Sequence, residues 1–91
     1  MQIQTSESTS VLLCKLNAAL DTQLASIQRD CEPGEFAQQR RLFGAAMAGL
    51  LDIANSIYRD HPSLKPAQLG GPYVLPDSVL KQSVAQLIGG A

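Results

Sequence analysis

The sequence predicts an all-α protein: a long antiparallel helical hairpin, a proline-rich crossover and a short C-terminal helix, paired into a dimeric helical bundle. Three observations carry this. Apolar residues recur at helical spacing through two long stretches, about 9–30 and 34–60. Only Asp30-Cys31-Glu32-Pro33-Gly34 separates the two, so the second helix must run back along the first. Four of the 5 prolines then fall between His61 and Pro76, where neither a long helix nor a central strand can form.

Residues 1–8 are polar and read as a flexible N-terminus ahead of a single helical domain, 9–91. Ser8 to Ser10 are plausible caps for the first helix. Counted in steps of about 100° from Leu20, the residues Leu12, Leu13, Leu16, Leu24, Ile27 and Cys31 fall between about −80° and +40°. Lys15, Thr22 and Arg29 lie opposite. That is one narrow apolar stripe.

The second helix opens on Pro33, whose missing N–H costs nothing in a first turn, with Glu32 and Glu35 favoured by the helix dipole. It must stop ahead of Pro62. Counted from Phe43, its apolar residues (Phe36, Leu42, Ala46, Met47, Leu50, Leu51, Ile53, Ala54, Ile57 and Tyr58) occupy about −100° to +80°. Arg41, Asp52, Asn55 and Arg59 mark the wet side. A stripe serving one partner needs only about 100°, so something besides the first helix must pack here.

The segment 61–76 carries Leu64, Leu69, Tyr73, Val74 and Leu75, too apolar for a solvated linker, and is expected to lie over an end or flank of the hairpin. A last helix fits 77–88, with Asp77 as its cap, Gly89 as its stop and Leu80, Val84, Leu87 and Ile88 on one face.

Composition narrows the function. The chain has 91 residues, of which 45% are apolar, enough for a core. A chain this short buries only about 60–70% of its unfolded surface, which favours a homodimer over a lone monomer. Seven Lys+Arg against 8 Asp+Glu, with no basic face, argue against nucleic-acid binding. Arg29, Arg40 and Arg41 are offset by Asp21, Asp30, Glu32 and Glu35. The N-terminus has no basic start and no apolar run of signal-peptide length, and no stretch is long enough to span a membrane. A cytoplasmic protein without membrane contact is expected.

Chemistry-bearing residues are few. Cys14 and Cys31, 17 positions apart on one helix, would be about 25 Å apart, too far to bridge. With His61 they match no compact zinc spacing. Arg59-Asp60-His61 with Ser63 sets an acid beside the imidazole, but sequence adjacency is not catalytic geometry, and the basic groups suit a helix C-terminus. Gly44-Ala45-Ala46-Met47-Ala48-Gly49 has the glycine spacing of a phosphate loop without its Lys and Ser/Thr. Its small residues are expected to pack against Leu16 to Leu20. No enzyme activity, cofactor or metal is expected.

What remains is a non-enzymatic protein-binding module that regulates or chaperones a partner protein by masking an apolar surface. The expected contact residues are Phe43, Met47, Leu50, Leu51, Ile57 and Tyr58, with Tyr73, Leu80, Val84 and Leu87 as a second group. In format the hairpin over about 10–60 is similar to small helical secretion co-chaperones and to anti-activators that sequester transcription factors, a likeness of architecture that carries no motif. A self-assembling structural subunit is the alternative reading, ahead of a nucleic-acid binder or a small enzyme.

Overall fold

The computed structural model describes residues 1–80, with the side chain of Leu80 left out. Two 28-residue helices, α1 (Ile3–Asp30) and α2 (Pro33–Asp60), pack against each other. Two single 3-10 turns follow, Pro62–Leu64 and Ala67–Leu69, and then the start of α3, Asp77–Leu80. There is no strand among the described residues. A helix of this length spans about 42 Å, so the hairpin sets the 44 Å long axis of the molecule.

The link between the helices is shorter than expected, only Cys31 and Glu32. The Cys31 N–H closes α1 on the Ile27 carbonyl, and Pro33 is the first residue of α2. A buried hydrogen bond of 2.6 Å between Ser10 and Tyr58 fixes the antiparallel register.

The start of α1 differs from the sequence expectation. The helix begins at Ile3, so 1–8 is not a separate tail and Ser8 to Ser10 are not caps. The Ser8 and Thr9 hydroxyls bond back to the Thr5 carbonyl at 3.1 and 2.7 Å, the alternative open to Ser and Thr inside a helix. Tertiary contacts then hold these first turns. The Met1 carbonyl meets His61 Nε2 at 3.3 Å, and Tyr73 donates to Glu7 at 2.7 Å.

The core sits at the end of the hairpin remote from the turn. Leu13, Ala54, Ile57, Tyr58 and Leu64 form one buried cluster, with Leu50 and Tyr73 packed against it. Toward the turn, Leu24, Ile27, Phe36 and Phe43 are only half-buried, because no third layer among the described residues covers them.

The segment after α2 folds back on itself. Tyr73 N–H reaches the Lys65 carbonyl at 3.0 Å and Ala67 N–H the Tyr73 carbonyl at 2.8 Å. Gly70 takes a φ of 86°, the left-handed region that glycine enters without cost. A side chain on Gly71 would collide with the Lys65 carbonyl. This closure buries Leu64, Pro66 and Leu75. α3 begins at Asp77, one position earlier than a capping Asp77 would give, and Val79 is buried. The rest of the expected 77–88 helix lies outside the described residues.

Two serines on α1 allow a test. Ser10 has a buried partner, whereas the Ser6 Oγ is buried with none. Ser10→Ala is therefore expected to cost about 1–2 kcal/mol and Ser6→Ala to be neutral or stabilising by up to about 1 kcal/mol. Urea denaturation of both variants checks this; equal effects would contradict the assignment.

Candidate functional site

The apolar arc of α2 divides into three strips, each with a different fate. Its centre, about −40° to +60° from Phe43, faces α1 and carries the buried Ala54, Ile57 and Tyr58 with the half-buried Phe36, Phe43, Met47 and Leu50. That is the width one partner helix covers.

The second strip, at about +80°, is Leu51. It is 38% exposed and lines a cavity of about 330 Å³ together with Met47, Cys14 and Ala18 of the hairpin and Leu69 and Leu75 of the C-terminal segment. The C-terminal segment therefore packs over this side.

The third strip, about −60° to −120°, holds Leu42, Ala46, Gly49 and Ile53. Leu42 is 52% and Ile53 51% exposed, and Ala46 and Gly49 are exposed beside them. Leu12 of α1, 48% exposed, lies on the same side of the hairpin, about one turn from the level of Ile53 by the Ser10–Tyr58 register. Met1, Ile3, Leu69 and Val74 are also exposed, but among the described residues this strip is the bare apolar row along the middle of the hairpin.

The expected contact residues mostly serve the chain itself. Ile57 and Tyr58 are core, Leu50 and Tyr73 pack against that core, and Phe43 and Met47 are half-buried in the hairpin seam. Leu51 alone of the first group is exposed. The Leu80 side chain, Val84 and Leu87 lie outside the described residues. Leu42 and Ile53 stand outside the expected contact residues, although their angles at the edge of the arc mark them as the ones α1 cannot reach.

The small-residue patch also departs from expectation. Gly44, Ala45, Ala48 and Gly49 are exposed, and a Cβ on Gly44 or Gly49 would meet nothing within 4 Å. Pairing by level along the hairpin sets them opposite Leu16 to Leu20. By angle, at about 100–240° from Phe43, they point away from α1.

The polar side chains near the core bond to one another and to backbone carbonyls. Burial pushes the Cys14 thiol above its ordinary 9.0, partly offset by a hydrogen bond from Tyr58. Cys31 is pushed up to about 11, chiefly by its hydrogen bond to Glu35. Both are thiols at neutral pH, when a nucleophile needs the thiolate. Burial also raises Tyr58, and the bond to Glu7 raises Tyr73. His61 closes α2, its N–H on the Ile57 carbonyl at 2.8 Å, and its ring meets a backbone carbonyl. Among the described residues no three His, Cys, Asp or Glu side chains converge as metal ligands, and no helix is long and apolar enough to cross a membrane.

No family model matches the chain, and neither a curated protein nor a solved structure does.

The four raised groups set the alkaline behaviour. Each holds its proton more tightly folded than unfolded, so above the ordinary values the unfolded chain carries fewer protons and stability falls with rising pH. The urea midpoint is expected to be flat from about pH 6 to 8 and to fall once pH passes the thiol and phenol values of 9.0 and 10.0. Tyr58→Phe should make that fall shallower. A midpoint that rises above pH 9 would contradict it.

Proposed function

We propose that this chain is a non-enzymatic protein-binding module, which regulates or chaperones its partner by covering an apolar surface. The observation that supports the reading is the uncovered strip of α2. Leu42 and Ile53 stand about half-exposed on a rigid helix whose other two strips are already in use. Monomeric proteins leave contiguous apolar surface bare where something binds. The helix presents this strip as a preformed ridge, so binding orders little backbone.

The surrounding surface suits a protein partner. The strip is bordered by small residues and by exposed Gln38, Asp52 and Ser56, giving an apolar centre with a polar margin. A cytoplasmic setting fits this reading, since neither thiol is placed to form a disulfide within the chain.

Leu42→Asp and Ile53→Asp test it. Both sites are exposed, so each variant should keep its helical circular dichroism and melt within a few degrees of the parent, a shift of under about 1 kcal/mol. Affinity capture from native lysate, with parent and variants side by side, should then lose whatever protein the parent retains. Equal capture by all three would exclude this surface, and no capture with no self-association would exclude the reading.

A further inference from the structure

We propose that the uncovered strip of α2 takes a second copy of itself, antiparallel and related by a two-fold axis between Ala46 and Gly49. The inference rests on the reading of this strip as protein-binding and names its occupant.

The strip has the symmetry an isologous contact needs. Leu42, Ala46, Gly49 and Ile53 follow 4-3-4 spacing, the repeat of a helix-pairing seam. In size they read large, small, small, large. A half-turn about their midpoint sets Leu42 of one copy against Ile53 of the other and Ala46 against Gly49. Each branched side chain meets another, and the two small residues let the backbones approach between them.

Gly49 has no other use among the described residues. It stands in a helix interior, where glycine is about 1 kcal/mol worse than alanine, and a Cβ there would meet nothing within 4 Å among the described residues. Close approach of a second helix supplies the missing reason.

Charge agrees with the same register. Arg41 and Asp52 are exposed, and neither has an ion-pair partner among the described residues. Within one chain they are 11 positions apart, about 16 Å along the helix, too far to meet. Both lie to the same side of the strip, at about 160° and 180° from Phe43, that is about 110° and 90° from its centre. The half-turn brings Arg41 of one copy within about 3 Å, measured along the axis, of the level of Asp52 in the other. Because the contact is two-fold, it forms two such pairs. Parallel pairing would set Arg41 beside Arg41 instead.

Sedimentation of the full chain from about 1 µM to 1 mM tests the proposal, with Kd as the readout. The parent should pass from monomer to dimer. Arg41→Asp and Asp52→Arg should each weaken the dimer about three- to tenfold, the range for paired exposed charges. The double variant should recover the parent Kd, a rescue that only contact between copies can give. Gly49→Leu should leave the melting of the dilute chain unchanged or higher while weakening the dimer about tenfold or more.

A dimer that Gly49→Leu strengthens, or a double variant without rescue, would overturn the register and with it the proposal. A parent monomeric to about 1 mM that still captures another protein through Leu42 and Ile53 would overturn the second copy as occupant and leave the binding reading standing. A parent that is monomeric and captures nothing would overturn both.

Discussion

Half the circumference of α2 is apolar, and a single antiparallel neighbour covers only about 100° of it. The rest of the fold follows from that mismatch. α1 takes the centre of the arc, and the chain after α2 returns over one flank, where Leu69 and Leu75 meet Leu51 and Met47 across a shallow cavity. The described chain supplies no third element for the other flank. Two helices and a return segment thus account for two strips of three.

Polar contacts place the return segment. Tyr73 joins Glu7, His61 meets Met1, and Ser10 and Tyr58 share a buried hydrogen bond at the core. Each joins α1 to the end of α2 or to the segment beyond it. The same contacts keep the polar first turns of α1 helical, since short polar turns have little tendency to persist alone. Burial is consequently deepest at the end remote from the turn. The turn end, where Phe36 and Phe43 are half-buried, has the fewest buried contacts and so the lower local stability.

Much of the architecture was legible in the sequence because its signals are local. The short link, Pro33 at the first helical position and Pro62 as a stop each act within a few residues, and the two long helices follow. The start of α1 was not legible, because serine and threonine serve equally as caps or as side chains bonded back to a preceding turn. Only the tertiary contacts of Glu7 and Ser10 decide between these. The width of the α2 arc was readable, but the strip left open was not. Phe43, Leu50, Ile57 and Tyr58 look like interface anchors on composition, yet large residues at the centre of an arc are the first that a neighbouring helix buries. Leu42 and Ile53 remain at the edge for the same reason. The glycine-alanine patch shows the same limit: matching levels along a hairpin says nothing about which way a residue points.

Everything else in the fold depends on which strip of α2 the folded chain itself protects. Single cysteines at Leu42, Ile53, Ala54 and Ile57, placed in a Cys14→Ser, Cys31→Ser background and reacted with a thiol reagent at low protein concentration, measure it directly. Rapid labelling is expected at 42 and 53, and slow labelling, limited by opening of the fold, at 54 and 57. Protection at 42 and 53 equal to that at 54 in the dilute chain would mean that the chain covers this flank itself, and that no strip of α2 is left open.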